Sequence, residues 1–127
     1  MTILILEDDP AVMNVISAVL RPLGHRIRLA STAEEAFQRF AETDGHIDLL
    51  IADVTLPTSS GIRAALELRS LLPYLRVILT SGLPPCMWPD HDAAEILELP
   101  CDSIATLQKP FTPSLLRQAV VRFVGTQ

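Results

Sequence analysis

Five short strand-like runs, separated by amphipathic stretches, constrain the fold of this chain more than any other feature. They cover residues 2–6, 26–30, 47–52, 75–79 and 104–108. Each run is too short for a core helix, and apolar residues recur at helical spacing between the runs. Strands that alternate with helices form a parallel sheet with right-handed crossovers and with helices on both faces. The sequence therefore predicts an α/β fold, in which five βα units build a doubly wound parallel sheet with strand order 2-1-3-4-5.

Capping side chains indicate where three of the helices begin. Asp9 precedes Pro10 and Thr112 precedes Pro113, so in both places a cap stands before a proline at the first helical position. The segment Ser31-Thr32-Ala33-Glu34 has the spacing of a capping box. These signals predict helices that begin near residues 10, 32 and 113.

The segment from Leu83 to Asp102 is the least regular part of the pattern. Four prolines interrupt it, so at most one short helix fits, near residues 92–99. The fourth helix is therefore expected to be irregular or shortened. Met87 and Trp88 stand in this segment. Packing within an irregular loop is the favoured interpretation for them, and exposure as a partner contact is the alternative.

Chemically selective residues follow four of the predicted strands. They are Glu7, Asp8 and Asp9 after the first strand, Asp53 after the third, Thr80 and Ser81 after the fourth, and Lys109 after the fifth. In the predicted sheet these strand ends lie side by side, at the edge where such folds bind ligands. Clustered carboxylates repel one another without a cation, and Mg2+ suits a site of few carboxylates that retains water. Asp9 is explained by helix capping, whereas Asp8, Asp53 and Lys109 together predict a shallow acidic site.

Length and charge narrow the classes of function. The 127 residues fit one domain, and the net charge of −5 offers no basic face for nucleic acid. The apolar runs fall short of the ~18 residues that cross a bilayer. Because acids follow the first strand at once, the N-terminus does not resemble a secretory signal. We expect a cytoplasmic protein that binds neither nucleic acid directly nor a membrane.

The cysteines and histidines predict no further site. Cys86 and Cys101 match no zinc or redox spacing, so incidental thiols are expected, with a regulatory disulfide as the alternative. His25, His46 and His91 are not spaced for a metal or a catalytic pair. Surface positions are expected for all three.

The ordered set of motifs resembles the receiver domain of bacterial two-component response regulators, including receivers associated with hybrid histidine kinases. The set comprises Glu7-Asp8, Asp53 with Gly61, Thr80-Ser81 and Lys109-Pro110-Phe111. The resemblance covers essentially the whole chain. It implies a flavodoxin-like (βα)5 fold, a single receiver domain over residues 1–127, and a Lys-Pro peptide bond of the cis form.

The resemblance also implies a role for each residue of the site. Asp53 would accept a phosphoryl group from a phosphohistidine of a sensor histidine kinase or a phosphotransfer protein. Lys109 would pair with a phosphoryl oxygen, and Thr80 would move its hydroxyl onto another. Asp8, Asp53 and the carbonyl of Thr55 would ligate Mg2+, with Glu7 acting through a coordinated water. Such a chain is not an enzyme in the usual sense, although it assists its own phosphotransfer and dephosphorylation.

Some features depart from the family pattern and leave alternatives open. Thr106 stands three residues before the lysine, where the family usually has an aromatic residue whose rotamer follows the threonine. A degenerate receiver, acting as a phosphate-independent interaction module, is therefore the main alternative. A haloacid-dehalogenase-type phosphatase would need an acid where Thr55 stands, and a dinucleotide site would need a glycine-rich first turn. A downstream protein partner, a homodimer, and a free-standing chain or one cut from a longer protein all remain open.

Overall fold

The computed structural model describes residues 1–56, 60–84, 87–88, 90–99 and 101–125. Its five-stranded sheet has the order β2-β1-β3-β4-β5, and all four pairings are parallel. The strands are β1 (Thr2–Leu6), β2 (Arg26–Ala30), β3 (Leu49–Asp53), β4 (Arg76–Ser81) and β5 (Ile104–Gln108). The predicted α/β class and strand order are confirmed.

In the part of the chain that the structure describes, five α-helices alternate with the strands. They are α1 (Pro10–Leu20), α2 (Ala33–Glu42), α3 (Gly61–Leu71), α4 (Asp90–Ile96) and α5 (Pro113–Val124). The caps of α1 and α5 are the predicted ones, because Asp9 accepts from the amide of Ala11 and Thr112 from that of Leu115. Within the described residues, no helix has both the length and the apolar character needed to cross a bilayer.

The cap of α2 lies one residue later than the sequence predicted. Thr32 is the N-cap and accepts from the amide of Glu35, while the Glu35 carboxylate accepts from the amide and the hydroxyl of Ser31. The segment Thr32-Ala33-Glu34-Glu35 has the same spacing one residue further on, and Thr32 has the extended backbone of an N-cap.

Strand and helix bounds differ from the prediction in the centre of the chain. β3 begins at Leu49 rather than residue 47, and it includes Asp53, which pairs with Thr80 of β4. Thr80 and Ser81 likewise belong to β4 instead of following it. α4 ends at Ile96, because the next three amides bond to carbonyls three residues back and so tighten the chain into a turn.

The core lies on both faces of the sheet. The side chains of Ile3 and Ile5 pack towards α1 and α5, while Leu4 and Leu6 pack towards α2 and α3. β1 and β3 are buried along their whole length, as expected for central strands covered on both faces. The polar ends of these strands are therefore held by a rigid core.

Two expectations about single residues are corrected. His25, predicted on the surface, is 6% exposed, because it packs under the end of α5 and its Nε2–H donates to the carbonyl oxygen of Gly125 at 2.6 Å. Met87 and Trp88 differ from each other: Met87 is exposed and Trp88 is buried in the core. Cys86 lies outside the described residues, as do the side chains of His91 and Cys101, so their predicted roles stay predictions.

Candidate acidic site at the carboxyl edge of the sheet

The parallel pairing places the ends of four strands at one edge. Asp53 stands opposite Thr80 in the register of β3 and β4, and Ser81 stands opposite Gln108 in that of β4 and β5. Glu7 and Lys109 are the residues directly after β1 and β5. Groups far apart in sequence therefore meet in space because every strand points the same way.

Lys109 lies between two carboxylates at the centre of this edge. Its Nζ donates to Glu7 Oε1 at 2.6 Å and to Asp53 Oδ2 at 3.0 Å. Its backbone amide donates to the carbonyl oxygen of Ser81 at 2.7 Å, which fixes the chain after β5 against β4. The next peptide bond, Lys109-Pro110, is cis.

Burial and hydrogen bonding act in opposite directions on the pKa values of Lys109 and Glu7. Burial by itself would lower the pKa of the Lys109 ammonium, but its hydrogen bonds to Glu7 and Asp53, with their charges, outweigh burial and raise that pKa. Lys109 therefore stays charged. Burial raises the pKa of Glu7 to about 7, against the opposing hydrogen bonds from Lys109 and from the amide of Asp9. Glu7 therefore binds a proton more readily than an exposed glutamate does, and further positive charge nearby would stabilise its ionised form.

Asp53 has each of its carboxylate oxygens engaged by a different group. Oδ1 accepts from the amide of Thr55 at 3.0 Å, and Oδ2 accepts from Lys109. The residue is 6% exposed. A carboxylate fixed by two donors is pre-oriented, which favours reaction with a group that enters from the exposed side.

Three carboxylates form a cluster that could bind a metal ion. Glu7, Asp8 and Asp53 each offer one oxygen, and these oxygens lie within 4.8 Å of one another. Glu7 and Asp53 are buried, whereas Asp8 is exposed and leaves one side open to water. Hard oxygen donors with a water-accessible side match the coordination that Mg2+ prefers. The donor set therefore fits the predicted ion.

The other predicted residues lie around this cluster. Thr80 is buried within β4, and its carbonyl oxygen accepts from the amide of Val54. Thr55 is exposed and forms an isolated bridge with Ser60, which caps α3. Residues 57–59 of the same loop lie outside the described residues.

Two features of the site are visible only in the structure. The first is the close contact of Gly61, where a Cβ atom would lie 2.0 Å from the carbonyl oxygen of Asp53. The second is an apolar groove of about 460 Å³ beside the acidic edge, lined by Ala11, Val12, Val15, Lys109, Pro110 and Phe111. The helical spacing on α1 was visible, but the groove needs two segments that only the fold brings together.

Comparison with known proteins defines the class. The family model described as response regulator receiver domain matches residues 3–121 of the chain. The chain therefore belongs to the receiver domain family of two-component systems, as its motifs had indicated.

Relatives and a solved structure agree with this assignment. The chain is 35% identical over 81 residues to the DNA-binding transcriptional regulator NtrC of Azospirillum brasilense, covering 64% of this chain and 16% of that protein. It is 28% identical over 127 residues to the sensor kinase CckA of Brucella abortus (strain 2308), covering 99% of this chain and 13% of that protein. The receiver domain of the hybrid histidine kinase CckA is 28% identical with a TM-score of 0.77, and the match covers 98% of this chain and 99% of that one. The chain thus spans less than a fifth of the length of the first two relatives.

Proposed function

We propose that residues 1–127 form a single phosphoacceptor receiver domain, which takes a phosphoryl group on Asp53 from a phosphohistidine of a sensor histidine kinase or a phosphotransfer protein. The observation that carries the proposal is the placement of Asp53. Its carboxylate shares the Lys109 ammonium with Glu7, and it also belongs to the cluster of carboxylates that could bind a metal ion.

The transfer step needs little from the protein except position and charge. A carboxylate oxygen of Asp53 attacks the phosphorus, an O–P bond forms, and the N–P bond breaks as the imidazole of the donor leaves with the electron pair. The product is an acyl phosphate. Because the phosphoryl oxygens are negative, the Lys109 ammonium 3.0 Å from Asp53 is placed to pair with one of them.

Mg2+ would be held by Asp8, by Asp53 and by the carbonyl of Thr55, with Glu7 reached through a water. When bound, it would supply charge that offsets the phosphoryl oxygens. Thr80, one strand away from Asp53 and in register with it, would place its hydroxyl towards a phosphoryl oxygen. This change at the end of β4 is the proposed switch, by which a local charge event alters a protein-binding surface.

The proposed partners follow from the same chemistry. The donor is a protein that carries phosphohistidine, and the output is a protein that recognises the altered surface. The similarity to a sensor kinase along the length of this chain supports such a partnership. The domain is itself modified and is therefore not proposed as an enzyme in the usual sense. The cytoplasmic location and a homodimeric state stay predictions.

Intact-protein mass spectrometry after incubation with acetyl phosphate and Mg2+ tests the proposal. We expect the mass of one phosphoryl group on the wild type, removal of that mass by hydroxylamine, and no gain when Mg2+ is chelated. Asp53→Asn should gain nothing. The matched control Asp44→Asn changes an exposed acid whose positive φ of 56° asparagine tolerates, and it should behave as the wild type.

Failure of this reaction would favour the degenerate receiver. If folded wild type gains no phosphoryl group from acetyl phosphate or from a phosphorylated histidine kinase, the acceptor role of Asp53 is wrong. Equal labelling of Asp53→Asn would assign the phosphate to another residue and would contradict the proposal as well.

A further inference from the structure

The segment between β4 and α4 is anchored by one aromatic side chain. Trp88 is the single tryptophan of the chain and is 6% exposed. It packs in the core cluster that contains Val77 and Leu79 of β4. Its indole Nε1–H donates to the carbonyl oxygen of Leu83 at 3.0 Å.

Hydrogen bonds connect this indole to the acidic site. The amide of Leu83 donates to Ser81 Oγ at 3.1 Å, so Leu83 joins the indole on one side to the end of β4 on the other. The carbonyl oxygen of Ser81 accepts from the backbone amide of Lys109 at 2.7 Å. Any shift of the strand end that follows a change at Lys109 or Thr80 therefore displaces the carbonyl that holds Trp88.

A cavity of about 180 Å³ lies beside the indole. Its lining comprises Ser81, Leu83, Trp88, Thr106, Leu107 and Gln108. Because Leu83, Thr106 and Gln108 are exposed, this cavity opens to solvent. Thr106, short and exposed on β5, leaves this space unfilled. The indole therefore has an adjacent volume into which it can move.

Trp88 also lies close to the start of α4. It precedes α4 by two residues, and α4 is joined to α3 by the ion pair of Arg63 and Glu95 at 3.0 Å. Leu97, directly after α4, is 83% exposed. A movement of the indole would therefore act on the start of α4, whereas the Arg63–Glu95 pair holds the later part of the helix to α3.

We infer that Trp88 is the positioning residue that transmits the state of Asp53 from the end of β4 to α4, by moving towards the cavity bounded by Thr106. The inference rests on the proposed function. A phosphoryl group on Asp53 changes the partners of Lys109 and Thr80, the Ser81–Leu83 segment follows, and the indole loses its present hydrogen-bonding position. The two positions of the indole then distinguish the two states of the site.

The fluorescence of Trp88, recorded on the same sample as the intact mass, tests the inference. We expect a red shift of emission and stronger quenching by acrylamide as phosphate accumulates on Asp53. Both changes should grow with the phosphorylated fraction and exceed those caused by Mg2+ alone. Asp53→Asn, treated identically, should show neither change beyond the effect of Mg2+.

A second variant addresses the cavity itself. Thr106→Phe fills the space beside the indole, so the mass gain on Asp53 should persist while the fluorescence response is lost. Phosphate on Asp53 without any change in Trp88 emission would overturn the inference and leave the proposed function intact. An undiminished response in Thr106→Phe would also overturn it. Absence of phosphate in the mass spectrum would remove the proposed function and the inference together.

Discussion

Substitution of Gly61 by alanine provides a sharp test of how the acidic site is built. The added Cβ would lie 2.0 Å from the carbonyl oxygen of Asp53, 2.8 Å from its carbonyl carbon and 3.1 Å from the Cβ of Ala52. The first distance is more than about 1 Å shorter than van der Waals contact. Asp53 and Ala52 belong to the central strand β3, which is buried along its length and cannot yield. The start of α3 must therefore move away.

The expected cost follows from overpacking of this kind. We expect Gly61→Ala to lower the free energy of unfolding by about 2 kcal/mol, within the usual range of about 1–3 kcal/mol. For a domain of this size, the loss corresponds to a fall in Tm of roughly 5–10 °C. Because Ser60 at the start of α3 pairs with Thr55, whose amide donates to Asp53 Oδ1, the displacement of α3 also disturbs the acceptor carboxylate, and phosphorylation by acetyl phosphate should slow. Denaturant titration and timed mass spectra measure the two effects.

Gly82 offers a matched control at the end of the neighbouring strand. A Cβ there meets nothing within 4 Å, and its φ lies outside the left-handed region. Gly82→Ala should leave stability within about 0.5 kcal/mol of the wild type or raise it slightly, because alanine restricts the unfolded chain. If Gly61→Ala proved as stable as Gly82→Ala, the steric reasoning about the Asp53 loop would be refuted.

Four further predictions concern the charges, the metal ion and a helix end. Burial raises the folded-state pKa of Glu7 from 4.5 to about 7. In the absence of divalent cations, the free energy of unfolding should therefore fall by up to about 3 kcal/mol as pH rises between these values. Denaturant titrations of the wild type should show this slope, and Glu7→Gln should flatten it. Lys109→Met leaves the Glu7 and Asp53 carboxylates without the ammonium that they share, and it should lower the free energy of unfolding by roughly 2 kcal/mol at neutral pH. An unchanged denaturation midpoint would contradict this prediction. Mg2+ should raise the Tm of the wild type by mass action, and Asp8→Asn should reduce that rise in a thermal-shift assay; equal rises would exclude Asp8 as a ligand. Thr112→Ala removes the cap of α5 and should cost about 1 kcal/mol in a denaturant titration, whereas Thr112→Ser, which keeps the hydroxyl, should cost much less.

The outline of the fold followed from local signals. Short runs, helical spacing and the pairs Asp9-Pro10 and Thr112-Pro113 each depend on neighbouring residues, so they are legible in sequence order. The predicted ends of the strands and helices were less accurate than their order. Ile47 is fully buried yet precedes β3, since apolar character reports burial and not backbone pairing.

Non-local contacts account for the remaining errors. His25 follows Gly24 at a turn, and only the packing of α5 buries it against Gly125, one hundred residues away. Trp88 and Met87 are adjacent and looked alike as apolar residues in an irregular segment. The turn of the backbone sends one into the core and the other to the surface.

Local sequence patterns were enough to predict which groups reach the acidic edge. Once five βα units fix parallel strands, residues directly after the strands must collect at one end of the sheet. The way in which those groups meet depends on tertiary packing. Examples are the 2.6 Å contact of Lys109 Nζ with Glu7 Oε1, the lack of room for a Cβ at Gly61 and the cavity beside Trp88. Distances of this kind depend on side-chain rotamers and on packing between segments up to 102 residues apart, and local sequence carries no signal for them.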